Sequence, residues 1–183
     1  MDDPADRGGS KVVPSLDFDP CTGAGGPVVI RDYDPEWPAR FAELCEALAT
    51  ACDGLVVAIE HVGSTAVPGL AAKPILDVDV VVESPRLLPL VIERLRGLGY
   101  QHLGELGVPG REAFRTPAPE AAEEQSPLQK PHHLYVVCSD SPELARHVAF
   151  RDALRADAAL AEEYASLKRR LAGELGHDRE AYT

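Results

Sequence analysis

The chain is short of positive charge, and this shortage limits the partners it can bind. It has 18 Lys and Arg residues against 30 Asp and Glu residues, a formal net charge of −12. A nucleic-acid interface needs clustered Lys and Arg to neutralise phosphates. The composition therefore argues against DNA or RNA as a partner, but it is compatible with a small anionic ligand if a few cations or a metal lie close to the site.

Long apolar runs and a leader are also absent. No stretch approaches the ~20 apolar residues of a membrane span, and the opening MDDPADRGGSKVVPSLDFDP has no signal-peptide pattern. The four cysteines form no C-x-x-C pair, so we expect reduced thiols. These features predict a cytoplasmic protein without a membrane partner, and they leave its oligomeric state open.

The order of sequence patterns predicts an α/β (α+β) layered domain over residues 27–183. Residues 1–26, rich in Gly, Pro and Asp, read as a disordered or loosely attached tail. Ser139 or Ser141 is the expected N-cap of the last helical region, which is one broken helix or two. Periodicity predicts the other elements in PARFAELCEALATAC (helix), GLVVAIEHVGS (strand), 75–82 (strand), PRLLPLVIERLRGLGY (helix), 101–117 (hairpin) and 133–138 (strand).

Two acidic residues stand inside an otherwise apolar strand pattern. Residues two apart in a strand share a face, so Asp77 and Asp79 project together. Neighbouring carboxylates repel each other, and a divalent cation between them removes the repulsion. Mg²⁺ takes one or two carboxylates together with phosphate oxygens and waters. The alternative is a solvated strand face. The opposite face is apolar and should pack on a helix; it consists of Leu76, Val78, Val80 and Val82.

The loop before this strand has the features of a phosphate site. Gly63 allows close approach of a ligand, and Ser64 and Thr65 offer hydroxyls beside consecutive backbone N–H groups. A helix beginning near Ser64 would add a partial positive charge. The spacing of a Walker loop is absent. A helix-entry turn without a ligand is the alternative.

Together the loop and the strand resemble the core signature of the nucleotidyltransferase superfamily typified by DNA polymerase β. In that signature a strand ends in Gly-Ser, and the next strand carries Asp-x-Asp. The resemblance implies that Gly63 and Ser64 contact a triphosphate tail and that Asp77 and Asp79 hold Mg²⁺.

Several further blocks make the chain similar to members of the GrpB family from about residue 28 to residue 183. They are YDPEWPARF, IEHVGSTAVPGLAAKPILDVDVVV, GVPGREAF, HHLYVV and FRDALRADAALAEEYASLKRRLA. The resemblance implies a small mixed β-sheet flanked by helices with a nucleotidyltransferase-like fold. Two departures stand out: the family usually shows His-x-His where this chain has His133-Leu134-Tyr135, and it tends to run on past DREAYT.

The remaining polar candidates are less tied to a motif. Superfamily enzymes generally add a third acid; here His133 is the candidate base or metal ligand, because its reference pKa lies near neutrality. Glu105 and Glu112 are other options, and His61 is expected to point toward the loop. Candidates for contacts to a phosphate or substrate anion, with solvated surface as the alternative, are Lys73, Arg111, Arg115, Arg151, Arg155 and Lys168, and Tyr164 is a candidate for stacking on a base.

Two functions are open at this stage. The first is an Mg²⁺-dependent nucleotidyltransferase that moves a nucleoside monophosphate from a nucleoside triphosphate to a small-molecule acceptor. The second is a non-catalytic module that binds a nucleotide or stabilises a partner, as the family resemblance implies for relatives fused to dephospho-CoA kinase. The missing obvious third carboxylate and the early chain end relative to the family motivate the second.

Overall fold

Four helices and five strands occur in the residues that the computed structural model describes, which are Asp19, Cys21, 26–118, 126–178 and Tyr182. The predicted tail lies mostly outside these residues. The elements are, in chain order, α1 (Trp37–Ala51), β1 (Ala58–Val62), β2 (Leu76–Val82), α2 (Leu88–Gly97), β3 (Gln101–Gly104), β4 (Arg111–Arg115), β5 (His132–Cys138), α3 (Pro142–Ala156) and α4 (Ala158–Leu175).

The five strands form one mixed sheet in the order β1-β2-β5-β4-β3. The central strands β2 and β5 are parallel, and the other three neighbouring pairs are antiparallel. A parallel pair needs a long crossover, which here contains α2 and the β3–β4 hairpin. The predicted α+β layered fold with a small mixed sheet is confirmed.

One face of the sheet carries the main core. The alternate residues Leu76, Val78, Val80 and Val82 are buried there with side chains of α1 and α2, as the period-two pattern predicts. Complete burial of a Val or Leu side chain stabilises a fold by about 1.5–3 kcal/mol. This apolar layer leaves the other side of β2 free to carry polar groups.

The last two helices cover part of the opposite side. Ser141 caps α3, because its Oγ accepts the N–H of Glu143 at 3.2 Å. Asp157 separates the helices: its backbone is extended, and its Oδ1 accepts the N–H groups of Ala159 and Leu160 at the start of α4. The predicted helical region is therefore two helices. They bury a small second cluster with the β1–β2 loop, formed by Val67, Leu70, Ala71, Leu154 and Ala165.

The helices and the cysteines bear on two further expectations, about membrane spans and disulfides. Within the described ranges, no helix is both long and apolar enough to cross a membrane. The cysteines are all free thiols, as predicted from their spacing. They are Cys21, Cys45, Cys52 and Cys138.

His132 is a fully buried histidine on the core side of β5. Its Nδ1–H donates to the Lys130 carbonyl at 2.7 Å, and its Nε2 accepts from the Tyr100 hydroxyl at 2.7 Å. Burial lowers the pKa of His132 to about 4. The folded state therefore holds this imidazole neutral at pH values where the unfolded chain protonates it.

Acidification should destabilise the protein through this residue. Between about pH 6.5 and pH 4, His132 is protonated in the unfolded chain but not in the folded protein. The free energy of unfolding therefore falls as the pH falls. We expect His132 to account for about 3 kcal/mol of that loss. Urea unfolding of the wild type and of His132→Asn at pH 7 and pH 4.5 measures it. The variant should be less stable at pH 7 but lose less stability in acid; equal losses would contradict the prediction.

Candidate functional site

The polar face of the sheet is built mainly from its two central strands. Asp77 and Asp79 of β2 lie directly beside His133 and Tyr135 of β5 in the parallel ladder. Glu60 of β1 is the cross-strand neighbour of Asp79 on the other side. Since paired residues share a face, this is where polar side chains of three strands meet.

The β1–β2 loop begins at Gly63 in an unusual conformation. Its φ of 69° and ψ of −168° lie in a region open essentially to glycine alone. The residue also packs on Asp77: a Cβ added to Gly63 would lie 2.8 Å from Asp77 Cγ. Ser64–Ala66 form one 3₁₀ turn rather than a longer helix. The loop therefore offers N–H groups and hydroxyls without the dipole of a long helix.

Asp77 is hydrogen-bonded to a histidine that has a carboxylate on each side. Asp77 Oδ1 lies 2.8 Å from His133 Nδ1, and Asp19 Oδ2 lies 2.6 Å from His133 Nε2. Burial alone would lower the pKa of His133, but the hydrogen bonds to Asp19 and Asp77 outweigh it and raise the pKa to about 9. At neutral pH His133 is therefore a cation that donates from both nitrogens.

Asp79 is completely buried and is hydrogen-bonded to a second histidine, His147. Its Oδ2 lies 2.7 Å from His147 Nδ1 on α3, and His147 Nε2 lies 3.1 Å from Glu143 Oε1. In the described part of the chain, Asp79 Oδ1 has no hydrogen-bond partner. Separate imidazoles thus partner the two aspartates, and one buried carboxylate oxygen keeps its capacity to accept.

Lys168 of α4 fastens both ends of the β1–β2 loop. Its Nζ donates to Ser64 Oγ at 2.9 Å and to the Ala71 carbonyl at 2.5 Å, and it lies 4.6 Å from the centre of the Tyr164 ring. Burial lowers the pKa of Lys168 to about 8, although the charge of Asp77 opposes this. Tyr164 and Lys168, four residues apart on α4, share the face of the helix that turns toward the loop.

Two arginines of α3 hold the same region from the side. Arg151 Nη1 donates to Glu60 Oε2 at 2.7 Å and to the His61 carbonyl at 3.0 Å. Arg155 donates from Nε and Nη2 to the Ala66 carbonyl, at 3.0 and 2.7 Å. Their donors are therefore engaged with the protein itself, which favours bracing of β1 and the loop.

A cavity of about 460 Å³ joins the loop to Asp77. Its apolar lining residues include Ile30, Phe150, Leu167 and Leu171. The predicted site residues that line it are Gly63, Ser64, Thr65, Lys73, Asp77, His133, Tyr164 and Lys168.

The other predicted site residues lie outside this lining. Asp79 is buried behind the cavity, and the Arg151 and Arg155 side chains brace β1 and the loop. The Arg111 guanidinium lies 4.4 Å from the centre of the Tyr135 ring.

The acidic alternatives for a third carboxylate lie on the β3–β4 hairpin. Glu105 Oε1 accepts the Gly110 N–H at 2.6 Å, and Glu112 Oε2 lies 2.6 Å from His102 Nε2. Neither lines the cavity. Arg115 of the same hairpin donates to Gln101 at 3.4 Å.

His61 points toward the loop, as predicted. Its Nε2 lies 3.0 Å from Thr65 Oγ1, and its ring stacks on Phe41 with centroids 4.6 Å apart. Burial lowers the pKa of His61 to about 4. The neutral imidazole therefore positions the Thr65 hydroxyl.

Three residues of this region were missed in the sequence. His147 had a usable signal, since Glu143, His147 and Arg151 recur every four residues and share one face of α3. Asp19 and Tyr182 had none, because their contacts depend on how the ends of the chain fold back. Tyr182 lines the cavity, and the Lys73 ammonium lies 5.6 Å from the centre of its ring.

The fold and this site define a small α+β protein in which a glycine-bearing loop and a strand aspartate open onto one cavity. Residues 27–183 match the family described as GrpB protein, and the chain belongs to that family. The Glutamate-rich protein GrpB of Alkalihalophilus pseudofirmus is 34% identical over 159 residues, covering 86% of this chain and 88% of that protein. The crystal structure of conserved protein GrpB from Enterococcus faecalis is similar with a TM-score of 0.71 at 32% identity, covering 85% of this chain and 89% of that chain.

Other relatives match over a smaller share of their own length. UPF0157 protein YqkA of Bacillus subtilis is 34% identical over 142 residues, which are 78% of this chain and 39% of YqkA. A protein named dephospho-CoA kinase from Mycolicibacterium paratuberculosis is 39% identical over 83 residues, 44% of this chain and 20% of that protein. The chain thus spans about two fifths of YqkA and a fifth of the kinase.

Proposed function

We propose that the protein is an Mg²⁺-dependent nucleotidyltransferase that moves a nucleoside monophosphate from a nucleoside triphosphate to a small-molecule acceptor. The observation that carries the proposal is that Ser64, Lys168 and Asp77 line the same cavity. It combines hydroxyl and ammonium donors with a carboxylate, the groups that a metal-bound polyphosphate needs. The acidic surface favours a small acceptor over nucleic acid.

The phosphate tail would lie along the β1–β2 loop. Ser64 and Thr65 supply hydroxyls there, and Lys73 and Lys168 supply positive charge on the cavity wall. Lys168 already touches Ser64 Oγ, so both groups can reach one phosphate oxygen with little rearrangement. These are the cations that an otherwise acidic chain concentrates at the site.

The nucleoside would lie against the apolar lining residues of the cavity. Phe150, Leu167 and Leu171 line it beside the Tyr164 ring. Flat apolar surface and aromatic rings are the usual environment of a nucleobase. Because this wall presents few fixed donors or acceptors, the proposal names no preferred base.

The two aspartates are the proposed magnesium ligands. Asp79 Oδ1 is buried with no partner among the described residues, and Asp77 lines the cavity. In the described part of the chain, no group of three or more His, Cys, Asp or Glu side chains forms a metal site. Phosphate oxygens and waters would supply the remaining ligands, as is usual for Mg²⁺ in proteins. Bound Mg²⁺ would neutralise charge on the phosphates during in-line displacement.

The residues of the chain have distinct tasks in this mechanism. Lys168 and Ser64 hold the tail, while Gly63 leaves room beside Asp77. His133 donates from both ring nitrogens and is charged at neutral pH, so it suits binding of a phosphate oxygen better than the predicted role of base. The acceptor would deliver its proton to water or to a phosphate oxygen.

Asp77→Asn should weaken Mg²⁺-dependent binding of a nucleoside triphosphate at least tenfold, about 1.4 kcal/mol. The amide keeps the size of the side chain but removes the charge that attracts the cation. Calorimetric titration with ATP, GTP, CTP and UTP, each with and without Mg²⁺, measures it. Asp53→Asn, an exposed change after α1, is the control. Undiminished binding of the nucleoside triphosphate by Asp77→Asn would contradict the proposed metal site. Pyrophosphate release in the presence of mixed metabolite acceptors tests nucleotidyl transfer.

The second candidate function is a non-catalytic module that binds a nucleotide or stabilises a partner. Two observations favour it: His133 and His147 already partner the two aspartates, and part of the chain matches a protein named dephospho-CoA kinase. Such a module would bind nucleotide yet release no pyrophosphate with any acceptor. Measurable nucleotide binding without pyrophosphate release in any of these assays would support the module over the enzyme.

A further inference from the structure

Asp19 and Cys21, which we call the N-terminal contact, lie against the site although they precede the family-matched residues 27–183. Asp19 Oδ2 lies 2.6 Å from His133 Nε2, and Asp19 Oδ1 accepts the Cys21 N–H at 2.9 Å. The Cys21 carbonyl accepts the N–H of Thr116 at 2.9 Å. Asp19 is 8% exposed and Cys21 is 2% exposed. The contact is thus hydrogen-bonded and buried.

The carboxylate of Asp19 occupies a position suited to an anionic ligand. An ionised carboxylate only accepts hydrogen bonds, so His133 Nε2–H donates to it. The His133 ring also lines the cavity that contains Ser64, Lys73 and Lys168. A phosphate oxygen at Nε2 would make the same charge-assisted bond that Asp19 makes now.

We propose that His133 Nε2 is an anion subsite of the cavity, which Asp19 fills as an internal substitute until a phosphate group of the ligand displaces the N-terminal contact. The subsite deepens the proposed function and rests on it for the nature of the ligand, a nucleoside polyphosphate. The family match begins at residue 27, so this internal occupant lies outside the family-matched residues. Displacement would expose Cys21, which is a built-in reporter.

The test follows Cys21 by its labelling with N-ethylmaleimide, read by peptide mass spectrometry, with the buried Cys52 as internal reference. Inorganic tripolyphosphate added to the wild type should speed Cys21 labelling at least fivefold and leave Cys52 unchanged. Asp19→Asn should speed it at least tenfold without any anion, and should bind tripolyphosphate at least fivefold more tightly. The control Asp32→Asn, at an exposed ion pair with Arg169, should behave as the wild type.

Several results would overturn the subsite. They are Cys21 labelling that tripolyphosphate leaves unchanged in the wild type, no tripolyphosphate binding to either protein, or weaker binding by an Asp19→Asn variant whose urea unfolding matches that of the wild type. The wild-type arm needs no variant, so a folding defect of Asp19→Asn cannot decide the outcome. Pyrophosphate release from Mg-ATP, with the same mixed metabolite acceptors, is measured on the same samples. Anion-driven exposure of Cys21 without such release would remove the transferase proposal and leave the subsite standing.

Discussion

Gly63→Ala should destabilise the protein by about 3–5 kcal/mol and abolish nucleotide binding. Two costs combine in this substitution. Gly63 has φ 69° and ψ −168°, where a Cβ is strained, and the new methyl group would lie 2.9 Å from Asp77 Cβ. Neither atom can move away easily, because Asp77 belongs to β2, which is paired on both sides, with β1 and β5. Urea unfolding measures the loss of stability, and calorimetric titration with Mg-ATP measures binding.

Gly69→Ala is the matched control for this change. Gly69 also has a positive φ, 79°, but a Cβ added there meets no atom within 4 Å. Only the backbone cost of about 1–2 kcal/mol should appear. If the two alanine variants lost equal stability, the close packing of Gly63 on Asp77 would not be the cause.

Lys168→Met should lower the affinity for Mg-ATP at least a hundredfold, about 2.7 kcal/mol. The substitution keeps the length of the side chain and its packing, but removes the ammonium that joins Ser64 Oγ to the Ala71 carbonyl. Stability should change by less than about 2 kcal/mol, because relief from burying a cation offsets the lost hydrogen bonds. Arg169→Met is the control, since the neighbouring cation pairs with the exposed Asp32.

The same lysine should make binding depend on pH. Since burial lowers the pKa of Lys168 to about 8, the free protein loses this positive charge as the pH rises through that value. Wild-type affinity for Mg-ATP should therefore fall above about pH 8, while the residual affinity of Lys168→Met should not follow that curve. Parallel curves for the two proteins would show that another group titrates.

Local periodicity was enough to predict the two faces of the interior strand β2. Alternation along β2 separates Asp77 and Asp79 from four apolar residues, and the structure buries those four in the core with α1 and α2. Adjacent residues narrowed the cap of α3 to Ser139 or Ser141 and the last helical region to one broken helix or two, and the structure selects Ser141 and two helices.

Long-range partners were beyond what periodicity can reveal. Arg151 and Arg155 have the charge of phosphate ligands, yet they donate to Glu60 and to backbone carbonyls near the loop. His147 meets Asp79 across 68 positions of the chain, and Asp19 meets His133 across 114. Such pairings follow from how the helices dock, and a single sequence records the residue types but not the docking.

The parallel pairing of β2 with β5 has a consequence for how the protein gains its binding capacity. Asp77 and His133 are 56 positions apart, so they meet only when β5 pairs with β2. A half-assembled intermediate would have the loop but no facing histidine. Ligand added during refolding would therefore favour the finished molecule alone, and saturation with it would raise the thermal midpoint without rescuing partly formed states.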